Sequence, residues 1–183
     1  MEPVWTQDIL DFWFKELTPD DWFTGGAQLD ERIRAHCLPL YEKLAAHVPP
    51  EAMTDPRAAL AAIIALDQFP RNMFRGTARA FATDHLALEL SRNALKNGFD
   101  RDMNDAERSF LAMPLMHSEA LSDQEHCVKV FAEIGDEESL KYALEHRDIV
   151  EKYGRFPHRN RALGRNSSED EQAFLESHKG YGQ

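Results

Sequence analysis

The chain has 183 residues, an apolar share of 43% with 11 Phe and 3 Trp, and a net charge of -11. That length fits one domain around one core, and that composition excludes an intrinsically disordered chain. The excess of 32 acidic over 21 basic residues also argues against nucleic acid or anionic membrane as a partner, unless the basic residues are gathered locally.

The longest apolar run, Ala58 to Leu66, is about half the length needed to span a bilayer and is followed at once by Asp67 and Gln68. No membrane-spanning helix is expected. The opening Met1-Glu2-Pro3 lacks the basic and apolar pattern of a secretory signal, so a cytoplasmic location is expected. Cys37 and Cys127 lie in helical patterns with no CxxC pair and read as reduced core thiols.

Trp5 to Leu17 predicts a first helix, with Leu10, Trp13, Phe14 and Leu17 at three-to-four spacing. A loop through Trp22, Phe23, Gly25 and Gly26 leads to a second helix over about Leu29 to Ala46, which Pro39 should kink or split. Asp55-Pro56 is a strong helix start, an acceptor side chain ahead of a proline at the first helical position, and the helix should run to Gln68. Thr77 to Asn97 reads as one helix stopped by Gly98. Asn104, Ser122 and Asp136 are placed to start three more, ending near Leu115, Ile134 and Tyr153, with Gly135 and Gly154 as terminators. Pro157 to Leu163 predicts a short helical turn, and Ser167 or Ser168 with Glu171 a capping box ahead of a last helix to Ser177. Residues 178–183 read as a loose tail. The expectation is an all-α single domain over 1–183, seven or eight helices stacked as antiparallel hairpins with no strand.

Seven of the fourteen arginines fall in two short stretches: Arg71, Arg75 and Arg79, then Arg155, Arg159, Arg161 and Arg165. From Asp67 to Arg79 and from Arg155 to Arg165 there is one acidic residue, Asp67, so the charge of the chain is locally inverted. The stretches also resemble each other, Gln68-Phe69-Pro70-Arg71-Asn72 against Phe156-Pro157-His158-Arg159-Asn160. Guanidinium forks and amide donors held by rigid prolines suit recognition of a carboxylate or phosphate. The competing reading is structural, with the same arginines pairing with the abundant carboxylates and locking loops to the core.

Two histidines lie on apolar helical stripes, His117 with Ala106, Phe110 and Met113, and His146 with Tyr142, Ile149 and Tyr153, so both imidazoles should face inward. Pro114 should bend the helix just before His117-Ser118-Glu119. His117 with Glu119, or His158, are therefore the candidates for proton transfer. Their spacing matches no zinc pattern, and no metal or cofactor is expected. A GxGxxG, a P-loop, a nucleophile elbow and an HExxH motif are all missing from the sequence.

Three segments in order, Leu66 to Arg75, Pro114 to Glu119, and Gly154 to Asn160 with Leu163-Gly164-Arg165, closely resemble a bacterial family of unknown function classed with the tetratricopeptide-like helical proteins. The resemblance spans roughly Ile9 to Leu175 and implies stacked helical hairpins; it implies no chemistry. The first functional expectation is a small anionic ligand held by Asp67, Gln68, Arg71, Asn72, Arg75, His117, Glu119, His158, Arg159, Asn160 and Arg165. The second is an enzyme using His117, Glu119 or His158 in the same place. The third is a module that holds a peptide or protein on a concave helical face, and self-association is compatible with each.

Overall fold

The computed structural model of the chain describes residues 3–178 and Gly180, apart from the side chains of Phe23 and Thr24. Met1, Glu2 and every residue of the expected tail except His178 and Gly180 lie outside the described residues. Helix is the regular structure throughout those residues, in α-helical, π and 3-10 forms, with no strand among them. No helix there is long and apolar enough to cross a membrane.

Helix α1 (Val4–Asp11) passes into a π turn, Phe12–Glu16, in place of the single α-helix expected to Leu17. The turn closes where the Leu17 N–H donates to the Phe12 carbonyl at 3.3 Å. The stretch expected as a loop contains a short helix, α2 (Pro19–Thr24), started by a capping box between Thr18 and Asp21. Helix α3 (Ala27–Ala46) runs straight through Pro39 instead of splitting. Pro39 and Ala35, whose carbonyl loses its helical donor, both lie on the exposed side, where water can take that carbonyl.

The centre of the molecule is one rod in three segments. Helix α4 (Pro56–Ile63) begins where the Asp55 carboxylate accepts from the Ala58 N–H at 2.8 Å. It widens into a π turn, Ile64–Gln68, and then continues as α5 (Phe69–Met73) through the Phe-Pro dipeptide. Every residue from Ala58 to Asp67 is buried, because α1, α3, α6 and α7 surround the rod. Each fully buried Leu or Ile there contributes about 1.5–3 kcal/mol of apolar transfer. Pro70 has no N–H to offer the Leu66 carbonyl, and the Thr83 hydroxyl donates to that carbonyl instead, at 2.6 Å.

The helix expected from Thr77 begins later. A 3-10 turn, Ala78–Phe81, precedes α6 (Asp84–Lys96), so Thr83 and Asp84 stand at the helix entrance rather than inside it. Helices α7 (Asp105–Met116), α8 (Leu121–Ile134) and α9 (Glu137–Tyr153) follow, each of α6 to α8 packing on the next. Gly135 and Gly154 end α8 and α9 in the left-handed conformation that glycine adopts without strain. Pro114 sits inside α7, which ends two residues later at Met116. A 3-10 turn, Pro157–Arg159, and α10 (Glu169–Ser177), with its Ser168–Glu171 capping box, complete the chain.

Candidate functional site

Asp67 lies in the π turn and is 1% exposed. Its carboxylate receives the His117 Nδ1 at 2.8 and 3.0 Å, from the residue that caps the C-terminus of α7. Four residues on, Arg71 donates through Nη1 to the Asp67 carbonyl at 2.7 Å and lies 3.2 Å from the Asp67 carboxylate. Arg71 also holds Asp84, Nη1 to Oδ1 at 2.7 Å and Nη2 to Oδ2 at 2.9 Å. Arg159, from the second Phe-Pro stretch, meets Asp84 Oδ2 through Nη1 at 3.5 Å and donates through Nη2 to the His117 carbonyl at 2.9 Å. The Phe81 ring lies under both guanidiniums, 4.7 Å from Arg159 and 5.6 Å from Arg71, and Phe156 supports Arg159 at 4.7 Å.

The two look-alike stretches therefore meet, through Arg71 and Arg159, on one aspartate and one aromatic ring. Both arginines are more than nine-tenths buried, and the Nε of each has no hydrogen-bond acceptor. Burial works against the charge of Arg71, but Asp67 and Asp84 outweigh it and hold the guanidinium firmly protonated. For Arg159, burial and the neighbouring Arg71 prevail, and its pKa falls to about 10. Burial opposes ionisation of Asp67, yet Arg71 and His117 keep it a carboxylate. Burial, then Arg71, lower the pKa of His117 against the pull of Asp67, so the ring is neutral at pH 7. A neutral ring facing a carboxylate with Nδ1 carries its proton there, which leaves the lone pair on Nε2.

The other expected site residues divide into four groups. Glu119 does not face His117, as the acid–base reading expected. Its carboxylate takes both nitrogens of the Arg165 fork at 2.8 and 2.9 Å and the Phe156 N–H at 2.8 Å, because the turn after α7 points it at the 156–165 loop. Asn160 belongs to the same lock, accepting from Arg165 Nε at 2.9 Å and donating to Ser167 at 3.0 Å. Gln68 donates to Asp67 at 2.6 Å and so supports the carboxylate.

Asn72 and Arg75 turn away from this cluster. Arg75 pairs with Asp30 of α3 at 2.9 and 3.0 Å, and both residues line a surface cavity of about 440 Å³ with Asp30, Arg34 and Phe74. His158 also points elsewhere: its Nε2 lies 2.9 Å from His178 Nδ1, and His178 Nε2 lies 2.6 Å from Glu145. His178, expected in a loose tail, packs on Phe174 and His158. His146 faces inward as its stripe predicts, while Tyr142 on that stripe is 44% exposed.

Asp84 and Phe81 escaped the sequence reading. Asp84 is the first residue of a helix, where an acid is explained by the helix dipole alone, and nothing in its spacing marks it as the shared acceptor. The structural reading has direct support for three further arginines, since Arg79 pairs with Glu42, Arg155 with Glu171 and Arg165 with Glu119. Among the described residues no group of three or more His, Cys, Asp or Glu side chains is arranged to hold a metal ion.

The model of the family described as bacterial protein of unknown function, DUF924, matches residues 9–179. The chain belongs to this family. A DUF924 match over that span takes in both Phe-Pro stretches and the His117 turn. A solved structure from Agrobacterium tumefaciens, a protein of unknown function named ATU0120, is 36% identical to the chain, with a TM-score of 0.89 over 94% of this chain and 97% of that one. No curated protein matches.

Proposed function

We propose that the protein binds a small anionic ligand at the Arg71–Arg159 pair. The observation that supports this most is two guanidiniums, each over nine-tenths buried and each with an Nε–H lacking an acceptor, converging on a single aspartate. A buried donor without a partner costs about 1–3 kcal/mol, a penalty that an oxyanion reaching those N–H groups removes. The Phe81 and Phe156 rings lie against the guanidiniums and help to hold the forks in place for a planar or tetrahedral oxyanion. The tetratricopeptide-like stacking of hairpins is part of this reading, supported by the packing of each of α6 to α8 on its successor.

A second reading, proton transfer on the bound ligand, is favoured by one contact: Asp67 grips His117 through Nδ1, the arrangement that presents Nε2 as a base. Native mass spectrometry of gently purified protein, beside Arg71→Ala and Arg159→Ala, tests the binding reading. A small bound mass lost in both variants is the expected result. An unliganded mass in all three counts against it and leaves the arginines with a structural role.

A further inference from the structure

We infer that the site takes up its anion together with a proton, and that His117 Nε2 is where the proton goes. This rests on the binding reading above and names its ligand class, a small oxyanion, and its regulation by pH.

The argument starts from charge. Arg71 and Arg159 supply two positive charges, and Asp67 and Asp84 supply two negative ones, all in direct contact. The cluster is balanced as it stands. An anion reaching the two Nε–H groups would leave one uncompensated negative charge among groups that are mostly buried, and an unpaired buried charge is strongly unfavourable. A proton arriving with it restores the balance.

The groups around His117 leave one place for that proton. From the π turn and α5 it faces Asp67 and Arg71; from α6, Asp84; from the 157–159 turn, Arg159. Asp67 is committed to Arg71, His117 and Gln68, and the guanidiniums are already protonated. His146, near His117 on α9, is held neutral by burial, with its pKa near 3, and its Nδ1 is bonded to the Tyr142 carbonyl at 2.8 Å. Glu119, beyond the His117 turn, is fixed as a carboxylate by Arg165 and the Phe156 N–H. His117 alone combines a carboxylate already bound to Nδ1 with a second ring nitrogen that has no hydrogen bond among the described residues. Protonation of Nε2 turns the Asp67 contact into an ion pair and adds a positive charge to the cluster, so the anion and the proton favour each other's binding.

The test uses nitrate and formate as probes, because both carry a single charge, neither titrates between pH 6 and pH 8, and any proton uptake then belongs to the protein. Calorimetric titration at pH 6.5 in buffers of different ionisation enthalpy should show uptake approaching one proton per anion. The affinity should weaken by up to about tenfold per pH unit toward pH 8. In wild-type protein labelled at histidine nitrogen, nitrate should move the His117 Nε2 resonance from that of a bare ring nitrogen to that of a protonated one. His117→Gln should bind the anion without proton uptake. Binding with no proton uptake and no change at Nε2 overturns this inference and leaves the binding reading intact. If neither anion binds wild-type protein, the binding reading falls and this inference falls with it.

Discussion

Arg71 grips Asp84 through two parallel hydrogen bonds, Nη1 to Oδ1 at 2.7 Å and Nη2 to Oδ2 at 2.9 Å, and Asp84 is also the carboxylate nearest Arg159. Removing it leaves Arg71 with Asp67 alone and takes from Arg159 the carboxylate it meets at 3.5 Å. Asp84→Ala should therefore lower stability by about 3–5 kcal/mol, toward the lower end because the aspartate side chain is 22% exposed. Arg75→Ala, which breaks the exposed pair with Asp30, should cost less than about 1 kcal/mol. Urea denaturation of the two variants checks the contrast, and equal losses would refute the ranking.

Arg159 is held by the Phe81 and Phe156 rings, each 4.7 Å from its guanidinium, by Asp84 at 3.5 Å and by a bond to the His117 carbonyl. A lysine keeps the charge but neither the plane nor the fork. Arg159→Lys should lose about 1–3 kcal/mol, measured by the same denaturation. A variant as stable as wild type would mean that the charge alone matters there.

How far the sequence reaches is clear from this cluster. Asp67, Arg71, His117 and Arg159 stand out in the chain because they sit in polar motifs too dense for packing. Asp84 does not, because its partners are 13 and 75 residues away and its own position at a helix start already explains an acid. Arg75 and His158 share those motifs, yet they turn to Asp30 and to His178. A motif fixes neighbours along the chain, whereas the direction of each side chain depends on which helix packs beside it. The helical class, the caps at Asn104, Asp136 and Ser168, and the glycine stops follow from local chemistry and match their expectations. The π turns do not, since nothing in Phe12–Glu16 or Ile64–Gln68 departs from an ordinary helical sequence.

Stability should fall with acid in a defined window. His117 and His146 are both held below the ordinary histidine pKa by burial, so the unfolded chain binds more protons than the folded one below about pH 6.5. Their contribution is fully present above that value and is lost as pH drops toward the folded pKa, near 3 for His146. The lowered carboxyl of Asp67 adds a further loss below about pH 4. The urea midpoint should decline from pH 7.5 to pH 5, and His146→Gln should flatten part of that decline. A midpoint independent of pH would contradict the burial of both rings.

The Thr83 hydroxyl replaces the missing Pro70 N–H at the Leu66 carbonyl. Thr83→Val keeps the shape and removes the donor, leaving a buried carbonyl unsatisfied at a cost of about 1–3 kcal/mol. Thermal unfolding of the variant measures it, and an unchanged midpoint would show that the bond contributes nothing net.

Cys37 and Cys127 are buried, and desolvation lifts both thiols to about 12. An aromatic disulfide reagent at pH 8 should label neither in the folded protein and both after denaturation. Rapid labelling of native protein would show that one of the two segments opens readily.

The wide turn at Ile64–Gln68 makes the site a matter of residue count as well as residue type. A π turn acts as one extra residue set into an α-helix, and each residue of an α-helix advances it by about 100°. Deleting a single residue ahead of Asp67, so that the rod closes as uninterrupted α-helix, would re-aim one side of the rod against the other by that angle, with every side chain chemically unchanged. Asp67 and Arg71 would then no longer share a face with His117 and Asp84, and the assembly would come apart by phase alone.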